Sequence, residues 1–146
     1  MKKEKKLSYY KKAAWDSFSI FIRIRDCLLT TNDPFMGVCS TCGAMKAFKE
    51  LQAGHFADGR TYGVLFDERG VNIQCVHCNI FLRGNKIEYN EFMLKKHGRK
   101  VILDIRRKQH ITVKMDRTML KGIKEHYDEQ TKKLLQFYHE GVQTLN

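Results

Sequence analysis

The sequence predicts an α+β fold in which a small zinc-stapled unit of two strands and a helix is flanked by α-helices. Three observations predict it. Four of the five cysteines form two Cys-x2-Cys pairs, Cys39/Cys42 and Cys75/Cys78, separated by 32 residues. Two short strand-like segments, LQAGHFADG and VNIQCV, lead up to and into the second pair. Long stretches near both ends repeat apolar residues at helical spacing. The 146 residues suit one compact domain, and a hydrophobic fraction of 42% is enough for a modest core, which argues against disorder.

The elements follow in order. Residues 1–6 read as a frayed basic tail. From about Tyr9 to Thr30 the residues Trp15, Phe18, Phe21, Ile22, Cys27, Leu28 and Leu29 fall largely on one helical stripe, which Asn32, Asp33 and the lone Pro34 end. Residues 35–50 carry the first cysteine pair. A strand holding His55 comes next, then a loop rich in glycine and charge up to residue 70. VNIQCV is a second short strand that runs into the second pair and a short helix near Asn79–Arg83. A break at Gly84 and Asn85 precedes another helix, which Gly98 stops near His97. VILDIRRKQHITVKM is ambiguous between helix and strand. A final helix is expected from about Asp116 to Tyr138. Residues 1–34 are thus a basic tail and amphipathic helix, 35–98 the zinc-bound core and 99–146 a basic helical extension, within one compact domain overall.

Charge narrows the partner. Lysine and arginine number 27 against 16 acids, a formal net charge of +11. Such an excess draws a protein to phosphate backbones through counterion release. No apolar stretch is long enough to span a membrane, and MKKEKK leads into a charged amphipathic segment rather than a signal peptide. A cytoplasmic protein with no membrane partner is expected.

The cysteine count is odd and the chain lacks a secretory signature, so a disulfide framework is disfavoured. Two Cys-x2-Cys pairs match a tetrahedral four-thiolate zinc site, Cys39, Cys42, Cys75 and Cys78, and Gly43 suits the tight turn after Cys42. The competing reading is a redox dithiol. Cys27, within an apolar helical pattern, reads as a buried core thiol.

Between and beside the pairs lie His55, Asn72 and Asn79. Each has an ordinary reading: a half-buried strand histidine, a turn asparagine and a helix N-cap. Asn85 reads equally as a cap for the next helix, and His77 as a substitute zinc ligand that four cysteines make unnecessary. Their joint arrangement is what points to chemistry, because a metal staple would hold His55 on its strand opposite Asn79 in a unit too small to do so unaided.

CSTCG, AGHF, FDERGVNIQCVHCN and LRGNKIEYNEFMLKKHG together resemble the phage NinG (Rap) recombination endonuclease family over roughly residues 35–140. The hairpin ending in Cys-x2-Cys-Asn is also similar to phage endonuclease VII, a junction resolvase. The resemblance implies an HNH-type ββα-metal nuclease core. His55 then matches the general base on the attacking water, and Asn72 the residue orienting the His55 imidazole by a side-chain to backbone bond. Asn79 matches a ligand of a catalytic Mg2+ or Mn2+ that bridges the scissile phosphate and the leaving 3′ oxygen. Arg60 and Arg83 are candidates for holding DNA phosphates.

One departure stands out. HNH enzymes often carry an aspartate directly before the histidine, where this chain has Gly54, and the residue three before it is Gln52. A hard cation prefers anionic oxygen, so Asp58, Glu50 or Asp67 would have to supply the carboxylate, with Asp58 nearest His55 in sequence. The implied partners are branched, Holliday junction-like DNA and a second copy of the chain, in the host cell cytoplasm. The alternative is a non-catalytic zinc-stabilised DNA-binding or assembly module, which Gly54 and Gln52 favour.

Overall fold

The computed structural model describes residues 3–144. Of the expected tail, residues 1 and 2 lie outside the described residues, and 3–6 form neither helix nor strand. The chain divides into two units, a continuous one, Ile22–Lys114, and one assembled from Met1–Phe21 and Met115–Asn146.

The continuous unit begins with the second half of helix α1 (Leu7–Thr31). Asn32 takes a left-handed conformation, φ 57°, which ends the helix two residues before Pro34. A short antiparallel hairpin follows, β1 (Met36–Val38) and β2 (Met45–Ala47), with the first cysteine pair at its tip. Strands β3 (Leu51–His55) and β4 (Val71–Cys75) then pair antiparallel, Leu51 opposite Cys75 and His55 opposite Val71. The expected hairpin is therefore present, and the loop between its strands carries one helical turn, α2 (Tyr62–Leu65), which periodicity did not signal.

Every residue of β4 is buried, so the two-stranded sheet is covered on both faces. The period-two pleat sends Leu51 and Ile73 to one face, where they meet Cys27 and Phe48. It sends Asn72 to the other, where Tyr89 and Met93 lie against it. Cys27 is fully buried, as expected, and burial pushes its thiol up to about 11.

After Cys75 the chain makes a π-helical turn, His77–Phe81, then helices α3 (Lys86–His97) and α4 (Arg99–Gln109). Gly98, φ 82°, separates the two helices. The ambiguous segment is thus helical over α4, because Ile102 and Ile105 bury on one side, into a core of Phe56, Ala57, Val64, Tyr89 and Met93. That core places α4 with the sheet rather than with the C-terminal extension. At Gly63 a side chain would meet the Lys108 carbonyl at 2.2 Å, so α2 and α4 approach at backbone distance.

In the split unit, the first half of α1 meets α5 (Arg117–Thr144), which starts where expected and runs six residues further. Glu4 pairs with Arg117, and the Tyr127 ring lies 4.8 Å from Phe18 and 5.0 Å from Phe21. Contacts advance along both helices together, so the two run parallel. Among the described residues no helix is long and apolar enough to cross a membrane.

Candidate metal centre and active site

The β1–β2 tip and the end of β4 bring Cys39, Cys42, Cys75 and Cys78 together, all four sulfurs within 4.8 Å of one another. Cys42 Sγ and Cys75 Sγ are 3.8 Å apart. Zinc–sulfur bonds of about 2.3 Å in a tetrahedron require sulfurs separated by about 3.8 Å, so the cluster fits one zinc ion. The surroundings act unevenly on these thiols, since burial raises those of Cys42 and Cys75. The Cys75 N–H donates to Cys39 Sγ at 3.3 Å, and Asn85 Nδ2 to Cys78 Sγ at 3.6 Å. Burial alone would raise the Cys39 thiol, but hydrogen bonds from the Thr41 hydroxyl and from backbone N–H groups outweigh it and bring the thiol down to about 6. Gly43, φ 75°, makes the expected turn. His77 stays outside the cluster, exposed and stacked on Phe81. Asn85 turns to sulfur, without capping α3 by its side chain.

At the far end of the sheet, His55 Nε2 lies 3.1 Å from the Leu65 carbonyl. A carbonyl only accepts, so the neutral ring carries its proton on Nε2 and Nδ1 keeps the lone pair. Burial first, then the nearby Arg60 and Lys86 cations, push the imidazole from 6.5 down to about 4, against the opposing pull of the Leu65 bond. The ring is therefore neutral, and a base, at physiological pH. Lys86 is a residue that sequence reasoning missed. Its Nζ donates to the His55 and Phe56 carbonyls at 3.1 and 2.9 Å and pairs with Asp58 at 3.0 Å. It also lines a cavity of about 210 Å3 with Asn90 and Arg106.

Asn79 sits in the π-helical turn and donates to Gln52 Oε1 at 2.8 Å, so its side chain reaches the sheet instead of capping a helix. Across the strand pair, Gln74 is fully buried and its Oε1 has no hydrogen-bond partner, while its Nε2 donates to Thr41 and to the Gly84 carbonyl. A side chain at position 54 would start 2.0 Å from Gln74 Oε1 and 3.1 Å from Asn79 Oδ1. Gly54 thus leaves room for two carboxamide oxygens beside the residue that precedes His55.

Asn72 makes different bonds from those expected. Its Nδ2 donates to Tyr89 Oη at 3.1 Å, its Oδ1 accepts from Lys96 Nζ at 2.7 Å, and Tyr89 Oη donates to the Gly54 carbonyl at 2.7 Å. The link from Asn72 to the backbone before His55 therefore runs through a buried tyrosine. The acids proposed as metal ligands are engaged elsewhere. Asp58 is 79% exposed and paired with Lys86, Asp67 is held by Arg69, and Glu50 accepts from the Ala47 N–H. Among the described residues, the four cysteines are the one group of His, Cys, Asp and Glu side chains gathered for a metal. Arg60 and Arg83 are both exposed.

The family described as Bacteriophage Lambda NinG protein matches residues 1–136. Protein ninG of Salmonella phage P22 is 30% identical over 128 residues, 87% of this chain and 58% of that protein. Protein ninG of Escherichia phage lambda is 29% identical over the same length, and that of Escherichia phage 933W is 31% identical over 99 residues, 67% of this chain and 45% of that protein. The chain spans about half the length of the curated relatives it matches. No solved structure matches it.

Proposed function

This chain belongs to the Bacteriophage Lambda NinG family, and from that premise we propose that it is a metal-dependent endonuclease of phage recombination, with an HNH-like core acting on branched DNA. The observation that carries the reading is His55. It is a half-buried neutral imidazole with Nε2 committed to a backbone carbonyl, its basic lone pair on Nδ1 and two cations nearby.

In this mechanism Arg60 draws a DNA phosphate to the end of β3, whose carbonyls Lys86 holds in place. His55 Nδ1 takes a proton from the attacking water as the water oxygen bonds to phosphorus and the P–O3′ bond breaks. The leaving 3′ oxygen takes a proton from solvent, and His55 returns its own to solvent, which completes the hydrolysis. Gln52 fixes the Asn79 amide, and the Lys96–Asn72–Tyr89 chain fixes the Gly54 carbonyl. Asn79 Oδ1 and the unpartnered Gln74 Oε1 would hold the divalent ion, with the phosphate supplying the anionic oxygens that neutral carboxamides lack. When bound, the ion would stabilise charge on the leaving oxygen. The cysteine cluster would carry a separate, structural zinc.

The test is His55→Ala in zinc-loaded protein. Plasmid nicking with Mg2+ or Mn2+ is expected to fall about 10²–10⁴-fold, with junction binding and zinc content unchanged. A variant that cuts as fast as the parent removes His55 from the mechanism. The second reading, a DNA-binding or assembly module without catalysis, is favoured by the lack, among the described residues, of a carboxylate engaged with Asn79. It predicts no cleavage of plasmid or four-way junction by the parent in either metal.

A further inference from the structure

The π-helical turn does more than present Asn79. Ile80 and Phe81 within it and Leu82 just after it are three consecutive exposed apolar side chains, 54%, 73% and 46% accessible, and Ile87 is 77% accessible. Single exposed apolar residues are ordinary, but a run of three on one turn is a patch that calls for a ligand. The turn is also closed tightly on itself. The N–H groups of Leu82, Arg83, Gly84 and Asn85 donate to the carbonyls of His77, Ile80, Cys78 and Leu82 at 2.9–3.1 Å. Three successive residues are left-handed, Arg83 at φ 51°, Gly84 at φ 92° and Asn85 at φ 48°. Glycine and asparagine take that conformation readily, so Arg83 is the strained position of the three, and such strain gathers at sites of function. Its surroundings are the Cys78 sulfur, bonded by Asn85, and the Gln74 amide, bonded to the Gly84 carbonyl.

We propose that residues 80–82 form a rigid apolar wedge that seats against an unstacked nucleobase, so that the protein recognises DNA at branch points where stacking is already interrupted. The inference rests on the DNA reading above and extends it to what selects the substrate. Phe81 lies two residues from Asn79 in one turn and is backed by the His77 ring, 6.1 Å away and inclined by 28°. The Asn79 amide turns in to the sheet while Phe81 stays exposed, so the apolar tip is the part of the turn open to a base. Exposed Arg83 places a cation next to the apolar tip, which is the chemistry of a base face flanked by phosphates rather than of a protein helix. An intact duplex must pay to unstack before it accepts such a wedge, whereas a branch point has bases already free.

The test compares zinc-loaded parent, Phe81→Ala, Leu82→Ala and Phe81→Trp without added Mg2+ or Mn2+. Binding is measured to a linear duplex and to a four-way junction carrying 2-aminopurine at its branch. The parent is expected to raise the probe fluorescence on binding. Phe81→Ala should lose that rise and bind the junction about 5- to 150-fold more weakly, the range of one base–aromatic stack. Linear duplex affinity should hold, Leu82→Ala should act in the same direction, and Phe81→Trp should restore both signals. The proposal is overturned if Phe81→Ala keeps the probe rise, or loses junction and duplex binding equally. It is also overturned if Phe81→Ala changes a parent dimer to a monomer with the probe rise intact, which would make the patch a contact between copies. A parent that raises the probe signal yet never nicks with either metal sinks the nuclease reading and supports the wedge. A parent that nicks without raising it does the reverse.

Discussion

At the Leu51/Cys75 end of the β3–β4 pair the chain is gathered by four sulfurs, while at the His55/Val71 end side chains grip backbone carbonyls. Arg25 donates to the Glu68 and Val71 carbonyls at 3.0 and 2.9 Å, and Lys86 to those of His55 and Phe56. Asp26, 4% exposed, accepts from the Ile73 N–H between the two ends. A two-stranded sheet of five residues a side is marginal alone, so both ends need holding. The difference teaches a division of labour. At the sulfur end four ligands converge within reach of one metal ion, which could draw the strands together. The histidine end keeps a polar, cation-rich surface because its clamps are themselves charged side chains.

The comparison is broken most severely at the sulfur end. Cys39→Ser or Cys78→Ser, or prolonged chelation, should unfold the continuous unit, since structural zinc is worth about 10–16 kcal/mol to small domains. Metal analysis should find one zinc per chain, and thermal unfolding with and without chelator should show the loss. If chelation leaves the melting curve unmoved, the sulfur end is no staple.

At the other end, Arg25→Ala removes two carbonyl bonds and leaves Asp26 as an uncompensated buried charge, its salt-bridge partner at 2.7 Å gone. Urea denaturation should register a loss of about 3–5 kcal/mol, with zinc still bound. A loss under about 1 kcal/mol, the worth of a surface pair, would mean that the carbonyl clamp contributes little.

Acid separates the ends more gently. His55 titrates near 6.5 in the unfolded chain and near 4 in the folded one. Between those values the unfolded state binds more protons, so folded stability falls as pH drops from 6.5 to 4, by up to about 3 kcal/mol. His55→Asn should lack that part of the slope, and the difference between the two proteins isolates the histidine from thiolates common to both. Parallel slopes would show that His55 is not held neutral.

The sulfur end was legible from sequence because Cys-x2-Cys spacing is itself geometry. So were the buried Cys27, the His55-bearing hairpin and the long helices, whose stripes repeat over many turns. Strands β1 and β2 were not, since three residues are too few to show a period. The α4 segment was ambiguous because its β-branched run suits a strand until Ile102 and Ile105 find a shared core. Around His55 and Asn79, sequence named the central residues but not their supports. Tyr89 reaches Gly54 across 35 positions and Arg25 reaches Val71 across 46. No local pattern announces such contacts, and Gln74 looks like any strand glutamine until its orphaned oxygen is seen against Gly54.

The nesting of one unit inside the other has a consequence during synthesis. The first half of α1 is made early, but its partner α5 lies beyond the whole of Ile22–Lys114. At typical ribosome speeds of about 5–20 residues per second, Phe18 and Phe21 wait several seconds for Tyr127 to emerge. Shortly before that interval ends the continuous unit is complete, with both cysteine pairs translated. A metal captured then would lock the sheet before the chain's two ends can meet, and the apolar face of α1 is the surface a chaperone would need to shield until they do.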